Sequence, residues 1–237
     1  GPMDLSAAPK RFYRHAEPAP CGSRWQVELD GRALRTPARA VLELPTRAMA
    51  ERVAAEWAGQ GETLDIHSMH LTRLANVALD RTPLTRSEMA DEVARFCETD
   101  LLCHLADTPE ALHARQEAAW RPVRDWAGPA LGILLVPVTG IRAAPQPAAS
   151  LDAARNHAMS LDDFRLTGLA FGCGLFGSAL LALAVEQGEV EADKAWASSR
   201  IDEEFQAEQW GRDAEADAAA SAGQQQAMAL GNWFSAL

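Results

Sequence analysis

Cysteine is scarce in this chain of 237 residues, and its four cysteines are not spaced as a metal site. Cys21, Cys97, Cys103 and Cys173 form no C-x-x-C pair, and no histidine stands at the intervals typical of zinc sites. His104 directly follows Cys103, but adjacency in sequence does not make a catalytic pair. The sequence therefore predicts reduced, mostly buried thiols, with no metal site and no catalytic cysteine, and no cofactor is expected.

Positive charge is also in deficit, because 22 Lys and Arg face 33 Asp and Glu and give a formal net charge of -11. This balance argues against a nucleic-acid surface and favours a basic or polar protein partner. Between Glu186 and Asp217 the chain has 11 acidic residues but only 3 basic ones, so much of the excess lies in one segment. No secretory signal pattern follows Met3, so none is predicted.

Long apolar runs are rare, and the exception is LTGLAFGCGLFGSALLALAV at residues 166–185. Gly172–Gly177 formally matches G-x-G-x-x-G, but no alternation of strands and helices surrounds it, as a dinucleotide-binding turn requires. The length would suit a membrane span, yet the run has four glycines and no interfacial Trp or Tyr. A buried helix, or a pair of helices, explains the pattern better, with Gly168 and Gly172 allowing close helix packing.

The N-terminal third carries strand signals. Apolar residues alternate over Arg24–Leu29, Asp30-Gly31 is typical of a tight hairpin, and Arg32–Thr36 is predicted as the return strand. A further strand is predicted at Val41–Leu44. Thr46–Trp57 has a capping threonine and a helical apolar period, so it is predicted to cover the sheet as a helix.

From about residue 69 the pattern is helical. Thr85–Glu88 resembles a capping box, Thr108–Glu110 is a proline-containing helix start, and Ser160–Asp163 resembles a second capping box. Proline and glycine make 128–149 a predicted irregular connector. Residues 212–228 are left open between a weak helix and a frayed segment.

The predicted fold class is therefore α+β, with two domains. A small N-terminal α+β domain is expected over residues 1–82, and an all-α helical domain over 83–237 with an acidic helix near 191–210.

The acidic helix contains one carboxylate flanked by tryptophans. At about 100° per residue, Glu203 lies within about 40° of both Trp196 and Trp210 on a continuous helix, while Ile201 and Phe205 form an apolar stripe on nearly the opposite side. Two interpretations stay open. Glu203 belongs either to a solvated charged face, with or without an internal arginine partner, or to a recognition surface for a basic group.

Several short motifs, in their order and spacing, resemble the Atp-twelve family of ATP synthase assembly chaperones, from about residue 10 to 217. The motifs are Lys10–Tyr13, Leu29–Arg32, Thr36-Pro37, Glu56-Trp57, Met69 with Leu71-Thr72, Asp80, Thr99–Leu102, Gln116 with Trp120, Gly177–Leu180, Asp202–Gln206 and Trp210-Gly211.

The resemblance implies a small α+β domain followed by a helical domain, and a protein that is not an enzyme. It implies binding to the unassembled α subunit of the ATP synthase catalytic sector until the β subunit takes its place. It also implies a cytoplasmic location in bacteria and the mitochondrial matrix in eukaryotic relatives, without membrane insertion. The alternative is a nucleotide-binding enzyme that uses Gly172–Gly177.

The resemblance implies that the family's functionally important acid falls on Glu203 or Glu204, and the tryptophan geometry favours Glu203. The expected partner-binding residues are Asp202, Glu203, Glu204, Gln206, Trp196 and Trp210.

Overall fold

The computed structural model describes residues 8–237, and the chain divides into two compact units. The first is Gly1–Leu84 together with Ser235–Leu237, and the second is Thr85–Phe234. The division lies two residues beyond the expected domain boundary, and the last three residues group with the first unit instead of the second. The predicted α+β fold class is confirmed, with a small sheet and helices in the first unit and mainly helices in the second.

The first unit contains a three-stranded antiparallel sheet in the order β1-β2-β3. Strand β2 (Arg24–Leu29) turns through Asp30 and Gly31 into β3 (Arg32–Ala33), and both turn residues have positive φ, as a tight hairpin requires. The predicted hairpin is therefore confirmed, although its return strand is shorter than expected. Strand β1 (Ala16–Cys21) was not predicted and pairs along the whole of β2.

The strand predicted at Val41–Leu44 is present only as isolated bridges, from Leu44 to Trp25 and from Val41 to Arg35. Helix α1 (Arg47–Ala58) begins as predicted, because the Thr46 hydroxyl accepts a hydrogen bond from the Met49 amide. Its apolar face is buried in the first unit.

The first turn of helix α2 (His70–Asp80) is hydrogen-bonded to a side chain of α1. The Glu56 carboxylate accepts hydrogen bonds from the amides of Leu71 and Thr72, each at 2.8 Å, and from the Thr72 hydroxyl at 2.7 Å. Burial raises the pKa of Glu56 in spite of these bonds. One carboxylate therefore satisfies amides that have no partner within the first turn of α2.

The second unit is built mainly from helices, with a two-stranded parallel sheet of β4 (His104–Leu105) and β5 (Val138–Thr139). It is thus mainly, and not entirely, α-helical. The remaining α-helices of the described residues are α3 (Thr82–Glu98), α4 (Glu110–Leu131), α5 (Ala148–Ser160), α6 (Asp163–Phe176), α7 (Ala179–Glu186), α8 (Ala192–Ser199), α9 (Ile201–Trp210) and α10 (Ala214–Ala236).

Several helices begin or end at other residues than predicted. Helix α3 is kinked at Thr85, where the first capping box was predicted. Helix α4 continues through Pro122 and Pro129, so the connector predicted from residue 128 begins only after Leu131. Helix α5 was not predicted. The predicted start near Ser160 is two residues later, where Asp162 accepts from the amide of Arg165 and α6 begins.

The long apolar run folds as two helices. It covers most of α6 and all but the last residue of α7, with Gly177 at φ 65° between them and the Ser178 hydroxyl capping α7. In the described part of the chain, no helix is both long and apolar enough to cross a membrane. A buried pair of helices is therefore the correct interpretation of the run.

Two glycines of α6 lie where other helices pack closely. A Cβ added at Gly168 would lie 2.7 Å from Phe234 Cζ and 2.8 Å from Trp233 Cδ1, both on α10. A Cβ at Gly172 would lie 3.0 Å from the Cβ of Ala182. The expected packing role of these glycines is thus visible in the structure.

A fully buried carboxylate, that of Asp100, joins two segments of the second unit. Asp100 Oδ1 accepts hydrogen bonds from the Ser178 hydroxyl at 2.6 Å and the Leu102 amide at 3.1 Å, and Oδ2 accepts from the Leu180 amide at 3.0 Å. Burial raises the pKa of Asp100 to about 6, although these bonds oppose the shift. The first turn of α7 is therefore fixed to the chain between α3 and α4.

Replacing Gly168 with alanine is expected to destabilise the protein. The overpacking costs about 1–3 kcal/mol and outweighs the gain of about 1 kcal/mol in helix propensity. Gly174→Ala is the matched control in the same helix, because its Cβ would meet no neighbouring atom within 4 Å. Urea unfolding should show lower stability for the first variant and slightly higher stability for the second, and equal shifts would contradict the packing role.

The buried Asp100 predicts a pH dependence of stability. Its folded pKa lies above its unfolded value, so the folded state binds more protons between about pH 4 and pH 6, and its contribution to stability falls as the pH rises through this range. The free energy of unfolding due to Asp100 falls by roughly 3 kcal/mol across this range, at about 1.36 kcal/mol per pKa unit.

The test is to measure the free energy of unfolding in urea at about pH 4.5 and at about pH 7. Asp100→Asn should be less stable at neutral pH, because its amide group cannot accept every hydrogen bond, and it should lose this part of the pH slope. The exposed Asp125→Asn variant should keep the wild-type slope. An unchanged slope in Asp100→Asn would contradict the assignment.

Candidate functional site

The prediction of a single helix over 191–210 is wrong, because the helix is interrupted at Arg200. This residue ends α8 and precedes α9 with φ -110° and ψ 10°. The break removes the common stripe that a continuous helix gives Trp196 and Glu203. Trp196 is half-buried and lies against Gly223 of α10, where an added Cβ would overlap the indole ring.

Helix α9 is attached to α4 by one cation–π contact, one ion pair and one hydrogen bond. Phe205 is buried, and the Arg115 guanidinium lies 5.3 Å from the centre of its ring. Arg115 also pairs with Glu208 at 2.8 Å, which lowers the pKa of Glu208. On the other side, Gln116 Nε2 donates to the Asp202 carboxylate at 2.7 Å. These contacts fix the rotation of α9 about its axis.

A depression of about 380 Å³ lies between α9 and the start of α10. Gly211, which ends α9, has φ 92° and ψ 166°, a conformation essentially limited to glycine. Trp210, which lines this depression, is 84% exposed. The lining residues are Arg200, Asp202, Glu203, Glu204, Gln206, Ala207, Trp210, Gly211, Arg212, Asp213, Ala216 and Asp217.

The structure brings together five of the six predicted site residues. Asp202, Glu203, Glu204, Gln206 and Trp210 line the depression. The sixth, Trp196, is not among the lining residues.

The carboxylates of the depression differ in how firmly they are held. Glu204 pairs with Arg212 at 2.8 Å, and Asp217 pairs with the same guanidinium at 3.2 Å. The hydrogen bond with Glu204, followed by that with Asp217, raises the pKa of Arg212. The Glu203 side chain is 53% exposed, and its carboxylate lies 4.0 Å from Arg200 Nη1, at the outer limit of an ion pair. Of the three α9 acids that line the depression, Glu203 is therefore the most available.

Sequence reasoning missed the two arginines that hold α9 acids, Arg115 and Arg212. Arg115 is 93 residues from Glu208, so no local spacing connects them. Arg212 comes directly after a glycine, Gly211. Its positive φ is the signal that the chain reverses there and returns Arg212 to α9.

The Gly172–Gly177 region lacks the geometry of a phosphate-binding turn. Its residues belong to the end of helix α6 and to its C-cap, and α6 follows helix α5. A dinucleotide fingerprint instead requires a strand, a glycine-rich turn and then a helix.

Three of the four cysteine thiols are buried. Burial raises the pKa values of Cys97, Cys103 and Cys173, which keeps these thiols protonated and weakly nucleophilic. Among residues 8–237, His, Cys, Asp and Glu side chains form no group that would hold a metal ion.

Comparison with known proteins places the chain in a family. The family model described as the ATP12 chaperone protein matches residues 10–128. A curated relative, the mitochondrial protein atp12 of Schizosaccharomyces pombe, is 24% identical over 216 residues, which covers 85% of this chain and 74% of the relative.

Two solved structures are similar to this chain over nearly its whole length. Atp12 from Paracoccus denitrificans is 39% identical with a TM-score of 0.89, and the match covers 96% of this chain and 97% of that one. A candidate chaperone from Agrobacterium tumefaciens is 36% identical with a TM-score of 0.90, over 96% and 86% of the two chains. The chain therefore belongs to the ATP12 chaperone family, which implies a non-enzymatic role in ATP synthase assembly.

Proposed function

We propose that this chaperone binds the unassembled α subunit of ATP synthase through the depression between α9 and α10, and keeps it from aggregating until the β subunit replaces the chaperone. The supporting observation is an available carboxylate, Glu203, in a depression that also exposes most of the Trp210 indole. Membership of an ATP synthase assembly family makes a subunit of that enzyme the expected client.

The chemistry of the depression suits a client that must later be released. An exposed aromatic ring supplies apolar contact area, and a carboxylate on a negatively charged surface accelerates encounter with a basic client more than it tightens the final complex. A larger and more apolar contact with the β subunit would then displace the chaperone.

The six expected contact residues take different roles in this proposal. Glu203, Gln206 and Trp210 contact the client directly. Asp202 acts from within, because it is bound to Gln116, and Glu204 shapes the rim through Arg212. Trp196 supports the packing of α8 on α10.

Charge reversal at Glu203 is expected to abolish function without unfolding the protein. The side chain is exposed, so Glu203→Lys should change the free energy of unfolding little, whereas it places a cation where the client brings its own. Soluble α subunit should fall to the level seen without chaperone when the two proteins are co-expressed.

Glu51→Lys is the matched control for this experiment. Its side chain is 54% exposed, close to the 53% of Glu203, and it also pairs with an arginine one helical turn away. This variant should keep the α subunit soluble. The proposal is contradicted if Glu203→Lys keeps as much α subunit soluble as the wild type does. It is also contradicted if both variants lose this ability equally while their folds stay equally stable.

A further inference from the structure

The exposed indole of Trp210 is an open aromatic face inside a concave site. At 84% exposure, the ring leaves most of its apolar surface in water, although it lines the depression. Aromatic faces are negatively polarised and attract cations, guanidinium groups in particular. An aromatic ring in a depression is thus suited to a flat cationic side chain as well as to an apolar one.

An available carboxylate, that of Glu203, lies on the same side of α9 as Trp210. Glu203 and Trp210 are seven residues apart on an uninterrupted helix, which puts them within about 20° of each other around the axis. Glu204 is a poorer acceptor for a client, because Arg212 already occupies it at 2.8 Å. An incoming cation therefore finds the Trp210 ring and the accessible Glu203 carboxylate on the same side of α9.

The protein itself uses this combination for an internal arginine beside the site. The Arg115 guanidinium lies over the Phe205 ring while it pairs with Glu208. Arg200 likewise lies 5.6 Å from the centre of the Trp196 ring. Guanidinium over an aromatic ring is thus an arrangement that this part of the second unit already accommodates.

We infer that the depression between α9 and α10 binds an arginine side chain of the protein client, stacked on Trp210 and paired with Glu203. This inference rests on the proposed function and adds the side chain that is recognised. Arginine fits better than lysine because its planar guanidinium can stack on a ring and pair with a carboxylate at once. The lining residues include five carboxylates and two arginines, so the site complements a positive charge.

Small arginine derivatives test the inference without the client. The chain has seven tryptophans, so the indole N–H signal of Trp210 is first identified in ¹⁵N spectra by its loss in Trp210→Phe. The protein is then titrated with N-acetyl-arginine amide, with the uncharged citrulline analogue and with N-acetyl-lysine amide.

The arginine derivative should shift the Trp210 signal saturably, the lysine derivative should bind more weakly, and citrulline should not bind. Glu203→Gln should weaken arginine binding by about 2- to 5-fold, the effect of losing an exposed ion pair. Equal binding of lysine and arginine, or no saturable shift with arginine, would overturn the inference.

A second arm uses the α subunit as the client. Trp210→Phe keeps an aromatic face, whereas Trp210→Leu keeps only apolar area. Trp210→Leu should bind the α subunit roughly 2- to 30-fold more weakly than wild type, the range of a cation–π contact, and Trp210→Phe should lose less. Equal affinity of the Leu and Phe variants would also overturn the inference.

The two proposals fail in different ways. If Glu203→Lys abolishes rescue of the α subunit but the Trp210 variants bind it equally, the arginine contact is wrong and the docking surface stands. If Glu203→Lys rescues normally, the docking surface is wrong, whatever the arginine derivatives do.

Discussion

The attachment of α9 to α4 fixes which α9 side chains face the solvent. Phe205 is buried, and Asp202, three residues earlier on nearly the same face, is bound by Gln116. Gln116 is itself almost fully buried, and its carbonyl oxygen accepts a hydrogen bond from the Ala106 amide at 2.7 Å. A helix held at these points cannot rotate. Glu203 and Trp210 are thereby kept outside the packed face, and the depression depends on this constraint.

The charges on α9 are distributed unequally between the protein and the solvent. Asp202, Glu204 and Glu208 each have a short contact with a partner inside the chain, whereas Glu203 has only a distant one. Three acids therefore help to place the helix, and one is left available. Surface ion pairs contribute little to stability one by one, so their value here lies in geometry.

The sequence was a good guide where the signal was local. The Asp30-Gly31 hairpin and the Thr46 cap are short motifs whose backbone chemistry acts within a few residues. Helix α5 was missed because its buried positions, Ser150, Ala154 and Ala158, are small and give no hydrophobic period.

The break at Arg200 escaped prediction because its cause is distant in sequence. Within a continuous helix, the carbonyl of Ser198 would accept from the amide four residues later. Here it accepts from the Trp120 indole at 2.8 Å, a contact across 78 residues. Neither glycine nor proline marks the site. The acids of the candidate site were found from their local pattern, but the arginines that hold them required the fold.

Gly211 separates the shape of the depression from its chemistry. Its backbone conformation sets the turn between the two walls, and this depends on the absence of a side chain at one position. The groups that would meet a client, Glu203 and Trp210, lie on the surface and carry little of the fold. During evolution, such a site can change its specificity through substitutions of a few exposed side chains while the backbone of its walls stays in place. Sequence changes in the client can therefore be matched at little cost to the stability of the fold.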